Sequence, residues 1–252
     1  MIRRFLSILS LVASLTLIAS PAIAQVNIEP AEPYKVGTFA VDYEQFVGLV
    51  MRDDTLIVDL VAANQVLELM PQYSSIDMPN DMLGLIEQYE YGLKYRVYEL
   101  VNWLVEDGQL SSGNRPDYIH DVEDVDIRAP IQYPSKIMNA AVNFYTHACE
   151  GCTEEQLAAQ TRERRENRGV PYLFLKPTRG AVIGHGEDVI MPYGRDEIEY
   201  EVEMAIVFGR SGKYISANRA YDHVFGYMVA MDISDRGGRP PGGYGLRSDW
   251  FV

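Results

Sequence analysis

Apolar and polar positions follow three different rhythms along this chain. The first is a block: Phe5 to Ala19 is nearly all apolar, with Arg3 and Arg4 before it and the small-residue stretch SPAIAQ after it. Such a block is shorter than the roughly 20 residues that span a bilayer. Ala22 and Ala24 supply the A-x-A pattern of a cleavage site before Gln25. The pattern predicts a cleaved secretory signal over residues 1–24, the rival reading being a membrane anchor.

From Tyr34 the period shortens to two. YKVGTFAV, QFVGLVM and TLIVDL read as strands, with Asp53 and Asp54 turning between two of them. After Pro79 the period lengthens. Met82, Leu85, Ile86, Tyr89, Leu93, Val97, Leu100 and Leu104 recur at three- and four-residue steps, predicting one long helix with a core-facing side. Asn80 or Asp81 caps its start and Gly108 ends it. Residues 25–128 thus read as a smaller α+β N-terminal region, with a polar, turn-rich link, QLSSGNRPDY, near its end.

The second half is mostly β. VDIRAPI, SKIMNAAV, YLFLK, DVIMP, IEYEVEMAIVFG and VFGYMVAMDIS predict strands. Thr153 and Gln156 form a capping box that opens a charged helix, EEQLAAQTRERREN, closed by Gly169 and Pro171. A short helix runs from Ser216 through Val224.

Composition narrows the function. With 47% apolar residues in 252, the chain can bury a sizeable core. A net charge of −14 argues against a nucleic-acid binder, which carries a basic face. Removing the signal takes away Arg3 and Arg4 and no acid, so the mature chain is still more acidic. No other segment reads as a membrane span, so the expected location is outside the cytoplasm, in the periplasm. Cys149 and Cys152 are the only cysteines, which excludes a disulfide-rich scaffold.

Two clusters carry candidate chemistry. In RDEIEYEVEMAIVFG, Glu197, Glu199, Glu201 and Glu203 alternate and would share one strand face. Four carboxylates there repel, and the apolar residues after Glu203 carry the strand into a core, so a cation at the buried end is expected. Asp232, an acid ending an apolar strand, is a third ligand in waiting. Three carboxylates without a spare His or Cys favour Mg²⁺ or Mn²⁺ over Zn²⁺. The alternative is an acidic strand at an exposed sheet edge. In NFYTHACEGC, His147 and Glu150 lie three apart and share a side of a helical turn. A carboxylate beside a histidine fixes its tautomer and raises its basicity, as in a general-base dyad; the alternative is a surface ion pair. The cysteines beside it read as a local bridge or two inert thiols, since the βαβ context of a redox motif is absent.

Together these segments resemble the fumarylacetoacetate hydrolase superfamily. APIQYPSKIMNAAVNFYTHACE is similar to its small-residue, Asn-Tyr and His-x-x-Glu stretch, LFLKPTRGAVIGHGEDVIMP to its Phe-x-Lys-Pro strand, IEYEVEMAIVFG to its Tyr-Glu-x-Glu strand, and GYMVAMDISDR to its Asp-x-x-x-Arg strand. The 29-residue step from Glu203 to Asp232 also fits. The resemblance implies an α+β fold with a mixed β-roll over residues 129–252, dimeric when complete, acting on small 2-oxo acids. It implies Glu201, Glu203 and Asp232 as ligands of Mg²⁺ or Mn²⁺, His147 and Glu150 as the base dyad on a lid, and Arg236 as a substrate contact. The implied reaction is hydrolytic C–C cleavage of an acylpyruvate-type 2,4-dioxo acid; decarboxylation, isomerisation or hydration of related acids uses the same site, and a non-catalytic metal- or ligand-binding role is the alternative from another class. Three departures stand out. Gly237, Gly238 and Arg239 replace the family's Asp-x-Gln after Arg236; the chain stops at Val252, where the family runs on to an active-site lysine and further strands, so a β-roll truncated at its C-terminal end is expected; and two cysteines flank Glu150.

Overall fold

The computed structural model describes residues 29–111, 115–191, 193 and 197–235. The expected signal segment and Arg236 lie outside them. Strands β1 (Lys35–Val41) and β2 (Glu44–Met51) form a hairpin closed by Asp42 and Tyr43. Both turn residues have positive φ, 51° and 70°, as a two-residue turn matching the strand twist requires. A second tight turn through Arg52, Asp53 and Asp54 leads to β3 (Leu56–Asp59), where the sequence places it. The strand stops earlier than TLIVDL suggests. Asp59 turns its carboxylate onto the amides of Val61 and Ala62, 2.9 and 3.0 Å away, and caps α1 (Leu60–Leu67).

The single long helix expected after Pro79 is two. Helix α2 (Met82–Gln88), capped by Asp81, is followed by a wide turn over Tyr89–Leu93 and then α3 (Lys94–Glu106). Gly92, at φ 124°, makes the break, in a conformation open to glycine and closed to most side chains. The apolar stripe survives the break: Met82, Leu85, Ile86, Leu93, Val97, Leu100 and Leu104 are all buried. They pack with Val47, Leu49, Met51, Leu56 and Val58 of the sheet in one core. Two short strands, β4 (Ile119–Asp121) and β5 (Asp126–Ile127), complete an antiparallel sheet of order β4-β3-β2-β1-β5.

The break also aims Tyr89 and Glu90 at the second half of the chain. Tyr89 stands edge-on to Phe225 at 5.0 Å, and Glu90 pairs with Arg210 at 2.9 Å. The Tyr89 hydroxyl meets that of Tyr34 at 2.6 Å. Burial, more than any other cause, pushes the Tyr34 phenol up to about 12, and it pushes Tyr89 up as well. Folded Tyr34 and Tyr89 therefore keep protons that the unfolded chain loses near pH 10, so their contribution is complete below that pH and falls as pH rises through about 12. Urea midpoints taken below and within that window should show this loss, and a Tyr34→Phe/Tyr89→Phe variant should lose less stability there.

The second half is built of ribbons. Strand β6 (Ile137–Ala140) pairs with β7 (Leu173–Lys176), and the capping box at Thr153 opens α4 (Glu154–Glu166) between them in sequence. Residues 188–191, expected as part of a strand, have no regular structure; Ile190 is 83% exposed there, and no strand among the described residues pairs with them. Strands β8 (Ile198–Glu199) and β9 (Val202–Phe208) pair with β11 (Ser234–Asp235) and β10 (Val224–Met231). These two pairings are one antiparallel ribbon. The register runs on across the gap, with the Asp232 amide donating to the Glu201 carbonyl at 2.9 Å.

Candidate metal and catalytic site

Strand alternation fixes which side chains of this ribbon share a face. Glu203 lies opposite Ala230 and Glu201 opposite Asp232, so the three acids fall on one side, where each is at least partly buried. That side meets the core of the first half through Val207 and Phe225. The other side carries Val202, Met204, Ile206 and Phe208, which are exposed. This reverses the expectation that the apolar run enters a core: it is the acid-bearing face that turns inward. The four-glutamate alternation also breaks. Glu201 sits at φ 29°, a strained value for a residue with a side chain, at the joint between β8 and β9, and Glu197 and Glu199 are exposed.

Asp232 is the most buried of the three, at 7% exposure, next to the buried Ser234 and Asp235. Lys176, at the end of β7, reaches across to it. Its ammonium lies 2.7 Å from Asp232 Oδ1 and donates to the Ile233 carbonyl at 2.7 Å. The pair is close enough for a strong charge interaction, and among the described residues Asp232 Oδ1 is a buried acceptor with no hydrogen bond. Such an atom suits a cation. The donor set, three carboxylates, is chemically right for a hard divalent ion. Among the described residues, no three His, Cys, Asp or Glu side chains converge into a metal cage. Sequence reading missed Lys176 as a site residue. The signal was present: a lysine closes the continuous apolar run YLFLK, where a buried ammonium calls for a countercharge.

His147 and Glu150 do meet. Residues His147–Cys149 form a tight 3-10 turn, and His147 Nδ1 lies 2.6 Å from Glu150 Oε1. A carboxylate against Nδ1 favours the tautomer that carries its proton there. The pair is solvent-facing, with side chains 47% and 73% exposed. Helix α4 backs the turn: Gln160 donates to the Ala148 carbonyl at 3.3 Å. The cysteines are joined, Cys149 to Cys152, across the segment that holds Glu150. The local bridge reading of the sequence is what the structure has.

Residues 136–242 match the family model described as fumarylacetoacetate (FAA) hydrolase C-terminal. Oxaloacetate tautomerase YisK of Bacillus subtilis (strain 168) is 30% identical over 196 residues, covering 76% of this chain and 57% of that protein. Mitochondrial oxaloacetate tautomerase FAHD2A of Bos taurus is 33% identical over 113 residues, covering 45% of this chain and 32% of that protein. The chain thus spans little more than half of the first relative and about a third of the second. Among solved structures, maleylpyruvate hydrolase from Sphingobium sp. SYK-6 in complex with manganese(II) ion and pyruvate superposes with a TM-score of 0.51 at 23% identity, over 80% of this chain and 59% of that one. A second structure of that hydrolase gives 0.52 at 24% identity, with the same coverage. These likenesses establish a shared α+β fold.

Proposed function

Because the chain belongs to the fumarylacetoacetate hydrolase superfamily, we propose that it serves a divalent-metal-dependent enzyme acting on small 2-oxo acids. The observation that carries this is the pairing of Glu201 with Asp232 on the inner face of the ribbon, with Lys176 brought to the same carboxylate from another strand. Glu201, Glu203 and Asp232 would hold Mg²⁺ or Mn²⁺. When bound, the ion would act as a Lewis acid toward the 2-oxo acid and stabilise enolate charge. The hydrolase named above was solved with manganese(II) and pyruvate, a metal and a 2-oxo acid of the kinds proposed.

His147, with its Nδ1 proton held by Glu150, would take a proton at Nε2. In hydrolysis of a 2,4-dioxo acid that proton comes from water. The water oxygen bonds to the distal carbonyl carbon, the C–C bond to the pyruvyl carbon breaks, and that carbon is protonated, giving a carboxylic acid and pyruvate. Arg236, which lies outside the described residues, would hold the substrate carboxylate. A second reading is favoured by the Bacillus relative, an oxaloacetate tautomerase matched over 76% of this chain. There the proton moves between carbon and oxygen of one substrate and no C–C bond breaks.

Two assays separate these readings. Purified chain with added Mn²⁺ is given an acylpyruvate, with pyruvate release followed, and separately oxaloacetate, with the enol absorbance followed. Metal-dependent pyruvate release supports hydrolysis. Enol decay alone assigns tautomerisation. Mn²⁺ binding with neither activity overturns the enzyme reading and leaves a metal- or ligand-binding protein.

A further inference from the structure

The geometry points to the Cys149–Cys152 disulfide as the element that positions the base: it closes the loop that holds Glu150 on His147, so its reduction should release the dyad. This rests on the reading of His147 as the base. Glu150 and Gly151 are the two residues enclosed by the bridge. Glu150 is among the more exposed acids, 73% for its side chain, so packing does not fix it. Among the described residues, its one side-chain partner is His147. Gly151, at φ 77°, adds a joint where the backbone turns freely. The Cys149 amide donates to the Thr146 carbonyl at 3.1 Å, which holds the turn before Glu150, and the Cys152 amide donates to the Cys149 carbonyl at 3.0 Å across it. Past Cys152, the capping box at Thr153 anchors the C-terminal side of the loop to α4. Glu150 follows the His147–Cys149 turn directly, and the disulfide limits the backbone on its other side, so that its side chain stays on His147.

The bridge is open to exchange. Cys152 is exposed and Cys149 half-buried, so a dithiol reaches the Cys152 sulfur. Its thiolate attacks that sulfur, the S–S bond breaks, and Cys149 leaves as a thiolate and takes a proton. The second thiol of the reagent then displaces Cys152, which is protonated in turn. The reagent ends as a cyclic disulfide, and two electrons and two protons have passed to the protein. Of the charged groups around the turn, Glu150 faces the imidazole, whereas Arg165 of α4 lies over Tyr145, 5.4 Å from its ring centre. Losing Glu150 would therefore remove the carboxylate that orients the imidazole.

The test reads the imidazole directly. The ring nitrogen and proton signals of His147, which report its tautomer, are followed by NMR at fixed pH in the full chain, oxidised and then reduced with dithiothreitol. The bridge state is checked by mass after alkylation. On reduction the His147 ring signals should lose the pattern of an Nδ1–H tautomer held by Glu150, and a Cys149→Ser/Cys152→Ser variant should match the reduced protein and ignore the reagent. Glu150→Ala should show the same loss while oxidised and be insensitive to reduction. In the Mn²⁺-dependent assay, kcat/KM should fall about tenfold on reduction with KM little changed, the scale of losing an orienting partner. An unchanged His147 tautomer pattern on reduction overturns the inference. A changed pattern in a chain without turnover upholds the positioning and sinks the function proposed for it, so the two failures are distinct.

Discussion

Replacing His147 with alanine should lower kcat/KM by about 10²- to 10⁴-fold in whichever of the two assays shows metal-dependent turnover, the range for removing a positioned general base. The fold should survive. The side chain is 47% exposed, and among the described residues its one hydrogen-bond partner is Glu150, itself on the surface. A surface change of this kind shifts stability by about 0.5 kcal/mol or less, so the urea midpoint of the variant should match the parent. Mn²⁺ affinity should also hold, since the proposed ligands lie on a different element. Loss of rate without loss of fold or metal binding is the signature of a base. Glu150→Gln separates orientation from chemistry. The amide keeps a contact to Nδ1 without the charge, so the expected loss is about 10- to 100-fold. A His147→Ala chain that turns over at the parent rate would remove the base from the proposed site.

How much of this was visible in the sequence varies with the range of the interactions involved. Local rules read well. The capping box at Thr153, the cap at Asp81, the turn at Asp53 and the short helix after Ser216 all depend on residues within one turn of each other. The apolar stripe from Met82 to Leu104 was legible as a core face, because burial follows the period. Its break at Gly92 was not, since glycine is tolerated within a helix and only the contacts of Tyr89 and Glu90 with Phe225 and Arg210 show what the break achieves. Helix α1 was hidden in the same way. Asp59 ends an apolar run that reads as strand, and it is the cap on Val61 and Ala62 that turns the chain.

The site divides along the same line. His147 and Glu150 are three residues apart, and their contact is a property of one turn. Glu201 and Asp232 are far apart in sequence, and the register that sets them opposite each other is a tertiary fact. Alternation could say that Glu201 and Glu203 share a face, but not that this face turns inward while Met204 and Ile206 turn out. Past Ala129, no apolar side chain among the described residues is fully buried, and the buried ones are Asp232, Ser234 and Asp235. Pattern rules assume that apolar faces are covered. They mislead here because, among the described residues, nothing lies over the outer face of the ribbon.

Lys176 gives the strongest stability prediction because it answers a buried charge. Its side chain is 9% exposed and that of Asp232 5%, with 2.7 Å between the charged atoms. Taking a carboxylate out of water is costly, and removing one partner of a buried pair leaves the other uncompensated. Lys176→Met keeps the length of the side chain and removes the charge and the donor to Ile233. Without added metal it should destabilise the chain by about 3–5 kcal/mol, the usual cost of breaking such a pair. That is a large share of the roughly 5–15 kcal/mol that holds a domain folded. Adding Asp232→Asn to Lys176→Met should recover most of the loss, because the stranded charge is gone. Mn²⁺ provides the decisive comparison. If Asp232 is a metal ligand, the ion supplies the positive charge that Lys176 now supplies, so saturating Mn²⁺ should raise the urea midpoint of Lys176→Met more than that of the parent. Equal stabilisation of both by Mn²⁺ would place the ion away from Asp232. A Lys176→Met chain as stable as the parent without metal would mean that the pair is not the electrostatic anchor its burial implies.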